Sequence, residues 1–182
     1  GRPARVTRAP GERATVSAQQ VVRIRRPRPG DFAADAEAAA ALYLASRRAT
    51  LPGLRDPHSD AETRAWMRDT AFARYSVRLA EVDGEIVGFA ARDGAWLMQL
   101  YVKPGWTGRG IGSRLLEVIL ADAAAVTPIL RLYTFARNAG ARRFYERHGF
   151  VAVAFGDGTG NEEGEPDVRY ERPTRAPASG GG

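Results

Sequence analysis

Cysteine is absent from this 182-residue chain, lysine occurs once (Lys103), and histidine and methionine occur twice each. Without thiols there is no disulfide framework, no thiolate metal site and no cysteine acyl-enzyme. A reducing, cytoplasmic setting is the expectation, and no metal site is expected. No apolar run approaches the roughly 18 residues that would cross a bilayer. The first residues, GRPARVTRAPGERATV, lack the apolar centre of a secretory signal. What is present, 44% hydrophobic residues in a chain of this length, suits one domain with a full core.

The net charge of +6 is unevenly spread. Residues 1–30 hold eight Arg against one Glu, whereas residues 31–182 hold 19 basic side chains against 20 acidic ones. The body is therefore nearly neutral, and a nucleic-acid partner is disfavoured. Residues 1–19 read as a flexible basic lead. The domain is expected over 20–172, and 173–182 read as a disordered tail.

Periodicity and turn chemistry give the order of elements. QVVRIRR (20–26) alternates as a first strand. Asp31 is placed to cap a helix running to about Ala45, and Ser59-Asp60-Ala61-Glu62 has capping-box spacing for a second. Asp83-Gly84 predicts a hairpin between strands 75–82 and 85–92. A third strand, 96–102, follows a turn at Asp93-Gly94. A helix over 112–125, a strand over 129–135, a helix over 139–148 and strands over 150–155 and 167–171 complete the chain.

One passage bears on chemistry. The strand ending at Val102 leads through Lys103-Pro104-Gly105 into Gly108-Arg109-Gly110-Ile111-Gly112, which opens directly into a helix. Glycines admit a ligand close to the backbone. The first N–H groups of the helix lack intrahelical partners and carry partial positive charge. This is an anion site, most often one for phosphate. A P-loop would need Lys and Ser/Thr after Gly110, where Ile111 stands, and a dinucleotide fingerprint would need Gly at Ser113.

Thr107-Gly108-Arg109-Gly110-Ile111-Gly112 resembles the pyrophosphate loop of the GNAT acyl-CoA-dependent N-acyltransferases, Gln/Arg-x-x-Gly-x-Gly/Ala, with Thr107 in place of Gln or Arg. Asn138-Ala139-Gly140-Ala141-Arg142-Arg143-Phe144-Tyr145-Glu146-Arg147-His148-Gly149-Phe150 is similar to that family's Asn-x-x-Ala-x-x-Phe-Tyr-x-x-x-Gly-Phe block. Asn138, Ala141 and Tyr145 fall on one helical face, and Gly149 suits a left-handed helix end.

The resemblance implies an α/β (α+β) fold. A mixed, mostly antiparallel central sheet is flanked by helices, with a V-shaped splay between strands 4 and 5. It implies acetyl-CoA as cosubstrate, with pantetheine against the backbone of Leu100, Tyr101 and Val102. The diphosphate would lie on Thr107, Gly108, Arg109, Gly110, Ile111, Gly112 and Ser113. Asn138 would hold pantetheine or a water, and Tyr145 would protonate the leaving thiolate. The reaction implied is direct attack of a primary amine in a ternary complex.

No carboxylate occupies Trp96-Leu97-Met98-Gln99, so the general base is sought in His58 first, then in Asp60, Glu62, Glu162 and Glu163, or in water alone. The acidic late loop (Asp157, Glu162, Glu163, Glu165, Asp167) is placed to attract a cationic amine. His148 is read as structural. The expected partners are a small-molecule or peptide amine and no membrane, with a homodimer allowed. The alternatives are a non-catalytic acyl-CoA sensor and an antibiotic or aminoacyl-tRNA acetyltransferase.

Overall fold

The structure, a computed structural model, describes residues 20–176. The expected lead segment, 1–19, lies outside the described residues. Seven strands form one sheet: β1 (Arg23–Arg25), β2 (Ser76–Val82), β3 (Glu85–Asp93), β4 (Trp96–Val102), β5 (Ile129–Phe135), β6 (Val151–Gly156) and β7 (Asp167–Pro173). Their order is β1-β2-β3-β4-β5-β7-β6, and every pairing is antiparallel except β4 with β5. The helices are α1 (Phe32–Thr50), α2 (Asp60–Trp66), which runs on through a π turn (Met67–Ala71) into α3 (Phe72–Arg74), then α4 (Ile111–Ala123) and α5 (Ala139–Arg147).

Two cores cover opposite faces of the sheet. Leu115, Leu116 and Ile119 of α4, with Tyr145 of α5, pack on Val87, Leu130, Leu132 and Tyr170. On the other side Ala36, Ala39 and Ala40 of α1, with Met67 and Phe72, pack on Leu79, Phe89 and Ala91. The small alanine face lets α1 lie close to the strands, so its later residues reach the edge of β4.

Local signals hold where local chemistry decides. Asp83 and Gly84 both have positive φ (50° and 82°), as a two-residue hairpin of the primed type requires. Ser59 and Glu62 complete the capping box in both directions. Asp31 does not cap: a 3-10 turn (Pro29–Asp31) precedes α1, and its side chain makes no cap bond. Asp35 instead accepts from the Arg28 N–H at 3.2 Å. α1 runs past Ala45 to Thr50 because no Gly or Pro intervenes before Pro52. At the other end β7 includes Pro173, and Thr174 N–H donates to the Pro128 carbonyl.

An ion cluster ties the first strand to both neighbours. Arg25 donates to both oxygens of Asp35 (2.9 Å each) and to Glu81 (2.7 Å), joining β1, α1 and β2. Burial of Asp35 opposes its charge, but the Arg25 hydrogen bonds and the Arg28 N–H outweigh it and hold the carboxyl below its usual value. With its folded pKa depressed, Asp35 contributes stability above the unfolded carboxylate range that is lost as pH falls. Removing one partner of a buried pair costs about 3–5 kcal/mol. Asp35→Ala is therefore expected to lower the urea midpoint strongly, with a smaller difference from wild type at pH 3 than at pH 7.

Candidate active site

The single parallel junction of the sheet is also its weakest. β4 and β5 share one registered pair, Trp96 with Arg131, anchored by the Arg131 N–H to the Ala95 carbonyl at 2.8 Å. Beyond it the strands part. On its other side β4 is paired with β3, where the Lys103 N–H donates to the Val87 carbonyl at 2.8 Å. Antiparallel alternation then turns the amides of Tyr101 and Gln99 to β3 and those of Leu100 and Val102 into the gap. Tyr101 thus offers the gap no backbone, a correction to the expected trio. Met98 is skipped in the β3–β4 register, a bulge that shifts the facing of the strand just where the gap opens.

The gap is the floor of a cavity of about 1060 Å³. At one end lies the glycine loop. Gly108 and Gly110 have φ of 75° and 80°, and a Cβ at either would meet nothing within 4 Å, so the space beside them is open. Gly110 is the N-cap of α4 and has no side chain to satisfy the first turn. The N–H groups of Ile111, Gly112 and Ser113 are left for an anion at the positive end of a 13-residue helix. Gly112 has a second reason: a Cβ there would meet the Phe144 ring at 3.3 Å, so the glycine lets α4 approach α5. The residues present fit an acyl-CoA diphosphate and pantetheine: uncapped amides for the one, unpaired strand amides for the other.

α5 supplies the opposite wall. The Asn138 Oδ1 accepts from the Ala141 N–H at 3.1 Å, so Asn138 caps the helix while still lining the cavity. Tyr145 is 8% exposed, its ring edge-on to Phe144 and Phe150. Burial alone pushes its phenol well above the usual tyrosine value. No hydrogen bond to its hydroxyl is found among the described residues. His148 lies outside the cavity: its Nδ1 bonds the Phe144 carbonyl (2.7 Å) and its Nε2 the Ser113 hydroxyl (2.9 Å), clipping α5 to the first turn of α4.

The far arm is built by α1, β4 and the loop between β6 and β7. Arg47 donates to the Tyr43 hydroxyl at 2.7 Å and to Glu163 at 3.2 Å. Tyr43 meets the Tyr101 ring edge-on, and Tyr101 stacks on Phe89. Burial raises the Tyr43 and Tyr101 phenols. Gln99 lines this arm too, and its Oε1 is buried without a hydrogen-bond partner. An orphaned buried acceptor costs about 1–3 kcal/mol unless something supplies a donor. Three carboxylates line the cavity (Asp157, Glu163 and Asp167), against Arg47 at this arm and Arg147 on α5.

Of the residues picked out from sequence, Leu100, Tyr101, Val102, Thr107, Gly108, Gly110, Ile111, Gly112, Ser113, Asn138 and Tyr145 all line the one cavity. Arg109 does not: its guanidinium sits 4.6 Å over the Trp106 ring, and Trp106 faces the cavity in its place. His58 does not either. It lies on the surface with its Nε2 2.7 Å from Glu162, a bond that raises its pKa. Asp60 pairs with Arg48, and Glu62 is spent in the capping box. Only Glu163, of the five candidate bases, reaches the cavity. His58→Ala is therefore expected to leave turnover within about two-fold of wild type, checked by steady-state kinetics. Sequence reasoning missed Tyr43 and Gln99, and it took Arg47 as the start of an inter-helix loop, 47–59, expected to set substrate identity, whereas Arg47 lies on α1. Tyr43 and Arg47 sit one turn apart, a spacing shared with any amphipathic helix.

Among the described residues no group of three or more His, Asp or Glu is placed to hold a metal ion, and no helix is long and apolar enough to cross a membrane.

Comparison with known proteins agrees with this geometry. Residues 39–150 match the family described as Acetyltransferase (GNAT) family. An N-acetyltransferase of Archaeoglobus fulgidus is 37% identical over 81 residues, 38% of this chain and 55% of that protein. The chain thus spans about half the length of that relative. The N-acetyltransferase YafP of Escherichia coli is 26% identical over 138 residues, covering 72% of this chain and 83% of YafP. Among solved structures, a GNAT acetyltransferase of Desulfovibrio desulfuricans superposes with a TM-score of 0.67 at 23% identity, over 85% of this chain and all of that one. The yncA protein of Salmonella typhimurium, solved with acetyl-CoA, gives 0.63 at 18% identity over 87% and 96%. Parting parallel strands, an uncapped glycine-loop helix and a match spanning most of the described residues lead to one conclusion: the chain belongs to the acetyltransferase (GNAT) family of N-acetyltransferases.

Proposed function

We propose that the protein transfers the acetyl group of acetyl-CoA to a primary amine by direct attack in a ternary complex, with Tyr145 as general acid. The observation that carries this is the juxtaposition of three features in one cavity: unpaired amides of Leu100 and Val102, the uncapped first turn of α4, and a buried phenol with no partner.

The α4 amides hold the diphosphate, and the strand amides of β4 pair with pantetheine. An N–H of β4 facing the gap polarises the thioester carbonyl as charge develops on its oxygen. The amine nitrogen forms the new C–N bond, the C–S bond breaks, one proton leaves the nitrogen, and one reaches the thiolate. Tyr145 supplies the proton to sulfur. Its raised pKa keeps it protonated throughout the neutral range, while a thiol ionises near about 8.5. Glu163 is the only one of the candidate bases in the cavity, and it takes the amine proton directly or through water.

The test is thiol release from acetyl-CoA over a panel of primary amines. Release that depends on an amine supports transfer. Tight acetyl-CoA binding with no release on any amine favours a sensing role instead.

A further inference from the structure

Clipping two helices together accounts for only part of what His148 can do. Its Nδ1 lies 2.7 Å from the Phe144 carbonyl, which can only accept, so Nδ1 carries a hydrogen in either charge state. The charge of the ring therefore decides what Nε2 does toward the Ser113 Oγ, 2.9 Å away. A neutral ring presents a lone pair there and takes the hydroxyl hydrogen of Ser113. A protonated ring donates instead, fills a lone pair of the Ser113 oxygen and leaves the hydroxyl hydrogen to turn elsewhere. Ser113 stands in the cavity wall, on the first turn of α4, whose uncapped N–H groups face the anion site.

The surroundings make this choice depend on the coenzyme. His148 is the C-cap of α5, where the partial negative charge of the helix end favours the imidazolium. It also touches the first turn of α4, where the positive end of that helix disfavours it. A diphosphate at α4 removes this opposition and calls for donors. Among the described residues the ring bonds only Phe144 and Ser113. Of the charged groups on the elements around it, Glu146 of α5 accepts from the Tyr170 hydroxyl (2.8 Å), and Arg114 of α4 donates to the Val22 carbonyl (2.6 Å). Arg143 and Arg147 of α5 and Glu117 of α4 are exposed, and Arg172 of β7 comes up beside Gly149.

We propose that His148 is a positioning residue for coenzyme binding: as the imidazolium it holds the Ser113 oxygen and turns the Ser113 hydroxyl hydrogen onto the coenzyme diphosphate. This rests on the diphosphate site proposed above and couples a proton to it. The proton comes from solvent and stays on His148, and no covalent bond of the coenzyme changes. The complex holds that proton more firmly than the free protein does, so binding near neutrality takes up a fraction of a proton. Affinity is therefore highest at the acid end of the histidine range and falls as pH rises through it.

The probe is 3′-dephospho-CoA, which keeps the diphosphate and lacks the 3′-phosphate, a group that itself titrates near about 6. It is titrated calorimetrically at pH 7 in buffers of differing ionisation enthalpy, and again at pH 6 and pH 8. Wild type is expected to take up a fraction of a proton per nucleotide bound, and to bind about five-fold or more weakly at pH 8 than at pH 6. His148→Gln, which keeps an amide near the Nε2 position and does not titrate, is expected to change less than about two-fold over that range. Ser113→Ala, which leaves the imidazole in place, is expected to lose most of the dependence as well, because the hydroxyl carries the coupling. His58→Ala, on the surface away from the cavity, is expected to keep it. A merely structural clip would weaken binding in both clip variants equally at the two pH values and leave the slope as it is. The proposal fails if wild type binds without proton uptake, or if His148→Gln or Ser113→Ala retains the wild-type pH dependence. Should His148→Gln not fold, the wild-type proton count and Ser113→Ala decide. No binding at any pH overturns the diphosphate site and this inference with it, whereas binding without proton uptake overturns the role of His148 alone.

Discussion

Tyr145→Phe is expected to lower kcat by about 10²–10⁴, the usual contribution of a positioned general acid, while the dissociation constant of CoA changes less than two-fold. The separation follows from geometry. The ring of Tyr145 is held by Phe144 and Phe150 and belongs to the core, so phenylalanine keeps the packing. Only the hydroxyl is lost, and it holds up nothing else, being without a partner among the described residues. The pH profile gives the sign of the effect. The acid works in its neutral form, and burial raises its pKa, so the activity it supports persists at least to the ordinary tyrosine value of about 10 and declines only above it. Stability follows the same direction: a raised folded pKa means that stability is intact below the unfolded value and falls as pH rises past it. A Phe variant that bound no CoA would make Tyr145 a coenzyme contact, not an acid.

Gly110→Val is expected to weaken CoA binding by about 100-fold or more, equivalent to roughly 2.7 kcal/mol, with little change in the thermal midpoint. Gly110 has a φ of 80° at the N-cap of α4, a conformation that a β-branched residue adopts only under strain. Space is not the obstacle, since a Cβ there meets nothing within 4 Å. Relief of strain would re-aim the loop and the first N–H groups of α4. The core face of α4 (Leu115, Leu116, Ile119) would be untouched, which is why binding should suffer more than folding. Loss of CoA binding and unfolding are distinguished by comparing denaturant midpoints with calorimetric affinities. Glu163→Gln makes a useful contrast: as the proposed proton acceptor it should slow transfer without affecting CoA.

Legibility in the sequence followed the range of the interaction. The Asp83-Gly84 hairpin, the Ser59–Glu62 box and the left-handed Gly149 are each decided within a few residues, and each stands as read. The glycine loop and the Asn138–Tyr145 spacing also lie within single elements, so the end of the cavity beside the first turn of α4 could be outlined from the chain. The end built by α1 and the late loop could not. Arg47 and Glu163 are 116 positions apart, and only the packing of α1 beside β4 brings them together. His58 and Glu162 are 104 apart, and the same loop joins them on the surface, outside the cavity. The bulge at Met98 and the π turn at Met67–Ala71 leave no periodic trace, because each breaks the repeat on which such reading relies. Arg109, which the resemblance set against the diphosphate, stacks on Trp106, a contact that spacing does not encode.

The central claim is that main-chain amides in the splay and at the start of α4 hold the coenzyme. At 19.7 kDa the protein suits amide-resolved nuclear magnetic resonance. Addition of CoA should shift the N–H signals of Ile111, Gly112, Ser113, Leu100 and Val102 most, and leave those around His58 and Glu162 in place. Saturating CoA that left residues 111–113 unmoved would contradict it.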